Sequence, residues 1–134
     1  GVKVVLLERG VCCLRPGVKG VSDNNKVISI VGRYLEHSRV FYFHNNGKEE
    51  IYMGSADLMR RNQDHRVEVV FPVENTDHIN YLRHGVLATY LSDNMRARVM
   101  KSDGTYVRLQ PPSESKAVDV QEWLMNNNHR NKKS

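Results

Sequence analysis

The chain has 134 residues, 40% of them hydrophobic and 26% charged, which is enough for one domain-sized core and too varied for a repeat or disordered protein. No apolar run reaches bilayer-spanning length and nothing near the start has signal-peptide character, so a membrane span or secreted precursor is not expected. Twenty Lys and Arg against fifteen Asp and Glu leave a net charge of +5, a balance that suits polyanionic partners, although composition alone leaves an ordinary solvated surface equally open.

Residues 2–8 are a β-branched run, expected as a buried strand that Arg9-Gly10 ends. The opening Gly-Val-Lys-Val-Val lies inside that strand, so the sequence reads as a piece of a longer protein. Cys12 and Cys13 are adjacent and form no C-x-x-C or zinc spacing; they read as packing residues in a reducing cytoplasm. Pro16, Gly17, Gly20, Asp23, Asn24 and Asn25 mark a loop. Residues 26–35 form a second β-rich run, leading into a strand that carries His37 and then Phe41, Tyr42 and Phe43, which are assigned to the core.

Asn45-Asn46-Gly47 predicts a hairpin, because Asn and Gly accept the positive φ of a tight reversal, and residues 50–53 pair back. Residues 66–71 predict another strand, stopped by Pro72. From Asp77 to Ser92 the apolar period becomes helical, through Ile79, Leu82, Val86, Leu87, Tyr90 and Leu91, with Asn75 or Thr76 as N-cap. Residues 95–100 and 105–109 flank the turn Ser102-Asp103-Gly104. After Pro111-Pro112, Ser113 or Ser115 is expected to cap a last helix through Trp123 and Met125. No linker divides the chain. Residues 1–127 read as one α/β (α+β) domain, a mixed sheet flanked by helices, and 128–134 as a disordered basic tail with Arg130, Lys132 and Lys133.

The chemistry concentrates at His37-Ser38-Arg39 and at Gly54-Ser55-Ala56-Asp57. In a strand, residues two apart share a face, so His37 and Arg39 would present an imidazole and a fixed cation to one spot. Such a pair suits a phosphorus centre: the cation neutralises phosphoryl oxygens, and the imidazole can attack phosphorus or protonate a leaving oxygen. Arg39 could equally pair with Glu36 or Glu68. His44, His65, His78, His84 and His129 have no ligand spacing with carboxylates, so no protein metal site is expected. Neither a G-x-x-x-x-G-K-[ST] nor a G-x-G-x-x-G phosphate loop is present.

The order His37-x-Arg39, Gly54-Ser55-x-Asp57 and Glu68 resembles the H-x-K, G-S-x-N and Glu series of phospholipase D-type sites. Arg stands for Lys, Asp for Asn, and Asn45 and Asn46 lie where an acidic residue is usual. With these departures, RGVCCLRPGVKGVSDNNKVISIVGRYLEHSRVFYF and GSADLMRRNQDHRVEVVFPV resemble the last domain of the long, histidine-phosphorylating bacterial polyphosphate kinases, tightly over residues 9–73 and more loosely to about residue 126.

The resemblance implies a phospholipase D-like fold, one half of a two-domain arrangement. It also implies reversible transfer of the terminal phosphate of ATP onto polyphosphate, through a phosphohistidine in another domain. It assigns His37 to ATP phosphate contact and to acid or base work on the leaving oxygen. Arg9, in its R-G-x-C context at a strand end, and Arg39 become phosphate contacts. Ser55, Asp57, Arg61, Asn62, Arg66 and Glu68 become supporting or polyphosphate-path residues, with Glu68 holding a histidine rather than reacting. Mg2+ would arrive with ATP and be bound outside this chain. Expected partners are ATP, ADP, polyphosphate, the remaining domains of the same chain, and other copies in a cytoplasmic homo-oligomer, peripheral to the inner membrane at most. No specific nucleic acid is expected, and the fragment alone is expected to be inactive. Two rivals remain: a phospholipase D-type phosphodiesterase or nuclease that dimerises to complete its site, and a non-catalytic polyanion- or nucleic-acid-binding module, which would need exposed stacking aromatics.

Overall fold

In the computed structural model, residues 1–10 and 12–128 are described; the basic residues Arg130, Lys132 and Lys133 lie outside them. Where the sequence shows no linker, the chain gathers into two compact units. One joins residues 1–35 to the described residues from Thr89 onward, and the other is Glu36–Ala88.

The first unit holds a four-stranded sheet in the order β1-β2-β6-β7, from β1 (Val4–Glu8), β2 (Asn25–Ile30), β6 (Ala97–Met100) and β7 (Tyr106–Arg108). Strand β2 pairs parallel with β1 and antiparallel with β6, so the sheet is mixed, as expected. It is also the core: Val27, Ile28 and Ile30 are buried together with Ala97, Met100, Tyr90 and Val120. Strand β1 is not the buried strand its composition suggests, for Val4 and Val5 stay 38% and 47% exposed. The reason is position: β1 is an edge, hydrogen-bonded only to β2. The connection back to β2 is pinned by buried Ser22, whose hydroxyl donates to the Arg15 carbonyl and accepts from the Val18 amide at 3.1 Å.

Helix α4 (Val120–Asn128) starts later than Ser113 or Ser115 would place it; Glu114–Lys116 form only a 3-10 turn. The acceptors at its N-terminus are two aspartates. Asp119 Oδ1 receives the Gln121 amide at 3.1 Å, and buried Asp93 Oδ2 receives the Val120 amide at 2.9 Å. The helix continues through Asn128, one residue into the stretch assigned to the tail.

The second unit holds a three-stranded antiparallel sheet, β3-β4-β5, from β3 (Val40–Phe43), β4 (Glu50–Gly54) and β5 (Val70–Pro72). The predicted hairpin is present, with Asn45, Asn46 and Gly47 all at positive φ. Ile51 is its buried centre at 1% exposure. The aromatic run is less buried than expected: Phe41 and Tyr42 are half-buried, and Phe43 is 53% exposed, edge-on to Tyr52 with ring centres 5.9 Å apart. A three-stranded sheet has too little covered surface to enclose both faces of β3. Tyr34, Phe71, Tyr81 and Tyr106 are also exposed.

Strand β5 begins only at Val70 and takes in Pro72 at its end. The predicted long helix is three consecutive segments: α2 (Thr76–Asn80), a π-helical stretch Tyr81–Leu87, and α3 (Ala88–Ser92). Asn75 is its N-cap, accepting the His78 amide at 3.1 Å. A helix that sequence periodicity does not reveal, α1 (Arg60–His65), fills the space between β4 and β5 in the chain.

Candidate functional site

The segment Glu36–Arg39 lies directly before β3 rather than in it, and the Arg39 carbonyl accepts the Gly54 amide at 3.3 Å. Its bend is held by Glu36, whose Oε1 accepts the His37 and Ser38 amides at 3.1 and 3.0 Å. Outside the strand, His37 and Arg39 do meet. Arg39 NH1 donates to His37 Nδ1 at 2.6 Å and to the His37 carbonyl at 3.2 Å.

The other arm of the guanidinium reaches the loop after β4. Arg39 Nε donates to Asp57 Oδ1 at 2.7 Å. The carboxylate that hydrogen-bonds Arg39 is thus Asp57, which the sequence did not single out as its partner, and the charge of Glu68 is felt there as well. The pairing acts on both groups. The hydrogen bond to Asp57 raises the arginine further above its ordinary value, and the same bond holds the Asp57 carboxyl below the usual carboxylate range, with the charge of Arg61 adding to it. Arg39 is thus a permanent cation in a fixed orientation.

Below this lies a second cluster. Ser55 Oγ donates to Glu68 Oε2 at 2.5 Å and accepts the Val69 amide at 3.1 Å, while Asn62 Nδ2 donates to Glu68 Oε1 at 2.8 Å. The hydrogen bonds from Ser55 and then Asn62 hold Glu68 below its ordinary value. Asn62 is 2% exposed, and its Oδ1 has no partner among the described residues. Gly54 is required by the close approach of the strands: a Cβ there would lie 2.3 Å from the Val69 carbonyl oxygen.

His37, Arg39 and Asp57 thus form one hydrogen-bonded cluster of the second unit and Ser55, Asn62 and Glu68 another, with the charge of Arg39 felt at Glu68. The bonds that hold Glu68 come from Ser55 and Asn62. Arg61 lies on α1 and Arg66 just past its end, and their charges are felt at Asp57 and Glu68 respectively. Arg9 follows β1 in the other unit and is exposed. Among the described residues, no group of three or more His, Cys, Asp or Glu side chains is placed to hold a metal ion, and no helix is long and apolar enough to cross a membrane.

The chain is similar to known proteins over most of its length. The family described as "Polyphosphate kinase C-terminal domain 2" matches residues 1–121. A polyphosphate kinase from an Exiguobacterium species is 51% identical over 121 residues, covering 90% of this chain and 17% of the relative. One from a Synechocystis species is 53% identical over 121 residues, covering 90% of this chain and 16% of the relative. The crystal structure of the polyphosphate kinase from Porphyromonas gingivalis superposes with a TM-score of 0.87 at 34% identity, covering 98% of this chain and 20% of that one. The chain thus spans about a sixth of the length of the relatives it matches.

Proposed function

This chain belongs to the polyphosphate kinase C-terminal domain 2 family, and on that premise we propose that it supplies phosphate-binding and catalytic groups for reversible transfer of the terminal phosphoryl group of ATP to polyphosphate. The observation that carries this reading is the array Asp57–Arg39–His37: a cation held by a carboxylate, with an imidazole in its grip. Phosphoryl transfer spreads negative charge over oxygens and asks the protein chiefly for position and positive charge. A guanidinium that is already oriented provides both without rearranging during the reaction.

In this scheme the nucleophile is a histidine outside the chain. Its nitrogen takes the phosphoryl group as the bond to the ADP oxygen breaks, and a terminal oxygen of polyphosphate then takes that group from it. His37 faces the phosphate with its free ring edge, within reach of the leaving oxygen. Arg39 and Arg9 contact phosphate oxygens, and the side chains around α1, Arg61, Asn62 and Arg66, border the path of the long anion. The Ser55–Glu68–Asn62 cluster supports the loop that carries Asp57. Magnesium enters as the counter-ion of ATP. Without the nucleophile, the chain alone turns nothing over. Relatives at about half identity are polyphosphate kinases, and this favours the kinase reading over a phosphodiesterase or a plain polyanion binder.

The test is a two-dimensional NMR titration of the chain with magnesium-ATP and, separately, with polyphosphate. Shifts clustered on Arg9, His37 and Arg39 and weakened in His37→Ala or Arg9→Ala are expected. Diffuse, salt-sensitive shifts over all the arginines would refute a preformed phosphate site.

A further inference from the structure

The contact between Arg39 and His37 says more than that the two are neighbours. An arginine is a donor only, with five N–H groups and no lone pair, and it stays charged at any working pH. At 2.6 Å between Arg39 NH1 and His37 Nδ1, the nitrogen facing it must be the acceptor. A proton on Nδ1 would set two N–H groups head to head at that distance. The ring is therefore neutral in this geometry, with its single proton on Nε2.

We propose that Arg39 is a tautomer lock: braced by Asp57, it holds His37 with its proton on Nε2 and makes it a hydrogen-bond donor to a phosphate oxygen, not a nucleophile toward phosphorus. The proposal deepens the phosphate-handling reading of this site and rests on it. Attack on phosphorus from Nε2 needs a lone pair there, hence a proton on Nδ1, which Arg39 blocks. Net release of the Nε2 proton would leave an imidazolate, so the neutral ring shares that proton with the oxygen and keeps it. Such a donor, aimed at an oxygen that gains charge, stabilises the transition state as a fixed dipole does.

Two features give the lock its rigidity. Arg39 uses separate nitrogens for its two partners, Nε for Asp57 and NH1 for His37. NH1 also donates to the His37 carbonyl at 3.2 Å, which fixes the guanidinium against the backbone that carries the ring. Arg39 is accordingly a positioning residue, and its effect is visible in the imidazole itself.

The experiment is nitrogen-15 NMR of the histidine rings in the 134-residue chain at about pH 8, where an ordinary imidazole is neutral. Two-bond proton–nitrogen correlations distinguish a protonated from an unprotonated ring nitrogen. His37 is expected to show a fully protonated Nε2 and a fully unprotonated Nδ1. His44, whose Nδ1 lies 3.8 Å from the Glu49 carboxylate, provides a contrast within the same spectrum. Arg39→Ala should move the His37 nitrogens toward the averaged positions of exchanging tautomers, and Asp57→Ala should move them part of the way. A wild-type His37 protonated on Nδ1, or already averaged, overturns the lock whatever the variants do. Added magnesium-ATP then tests the donor role separately. A downfield shift of the Nε2 proton supports it, and an unmoved proton overturns it, while the lock is judged from the ligand-free spectrum.

Discussion

Removing the carboxylate of Asp93 should cost more stability than any other single polar truncation in the first unit. Asp93 is 1% exposed. Its Oδ1 accepts the amides of Met95, Arg96 and Ala97 at 3.1, 2.8 and 3.0 Å, and its Oδ2 accepts that of Val120 at 2.9 Å. One side chain therefore ties the entry of β6 to the start of α4. In Asp93→Ala the Ala97 and Val120 amides, both buried, lose their acceptor and gain no water. An orphaned buried donor costs about 1–3 kcal/mol, and the amides of half-buried Met95 and exposed Arg96 recover part of their loss from solvent, so the sum is roughly 3–4 kcal/mol. That is a large share of a typical domain stability of about 5–15 kcal/mol. Asp93→Asn keeps the Oδ1 bonds and sets an NH2 against the Val120 amide, for about 1–3 kcal/mol. Trp123, the single tryptophan, lies in α4 and reports on this unit by fluorescence. With a urea slope of about 2 kcal/mol/M, the Asp93→Ala midpoint should fall by about 1.5–2 M. A fall of less than about 0.5 M, or an asparagine variant as damaged as the alanine one, would refute the bond-by-bond reasoning.

Gly54→Ala should loosen the β4–β5 pairing by about 1–3 kcal/mol, the usual range for overpacking, because the added Cβ meets the Val69 carbonyl oxygen at 2.3 Å and the Val70 side chain at 2.9 Å. Faster amide hydrogen exchange at Ser55, whose N–H bonds that carbonyl at 2.9 Å, is the expected signature, and unchanged exchange would contradict it. Acid should act late on the site. Asp57, held down first by its bond to Arg39, and Glu68, held down first by Ser55, both lie below their ordinary values. A depressed carboxyl contributes stability that is complete above its unfolded value and is lost as pH falls through its folded value. Carboxyl carbon shifts of Asp57 and Glu68 should therefore titrate below the ordinary range of about pH 4, and midpoints at or above it would contradict the assigned bonds.

Much of this was legible before any coordinates. Of the β-rich run at 26–35, residues 26–30 lie in β2 with Val27, Ile28 and Ile30 buried, while 31–35 are in no strand; Asn45-Asn46-Gly47 is the reversal, and Asn75, one of the two candidates, is the cap. The misses have physical causes. Composition cannot say whether a neighbour covers a strand, so β1 reads as buried although it is an edge. Helix α1 is six polar residues, too short and too uniform to show an apolar period. The start of α4 was within reach: Asp119 and Glu122 have the capping-box spacing, a stronger signal than the serines at 113 and 115. The role of Asp93 was not, since its four partners are spread over 27 residues of chain.

Two of the three departures from the phospholipase D-type pattern are one feature in the folded chain. Read along the sequence, Arg39 for lysine and Asp57 for asparagine are separate anomalies, eighteen residues apart. In the structure they are each other's partners, through Arg39 Nε and Asp57 Oδ1 at 2.7 Å. Each change gives the other its reason. A lysine has one nitrogen and cannot hold the loop carboxylate and the histidine ring along two fixed directions, whereas a guanidinium fork can. An asparagine would offer that fork a neutral acceptor, with no charge to hold the cation in place. The pair converts a mobile point charge into an oriented one, and His37 inherits the orientation through its Nδ1.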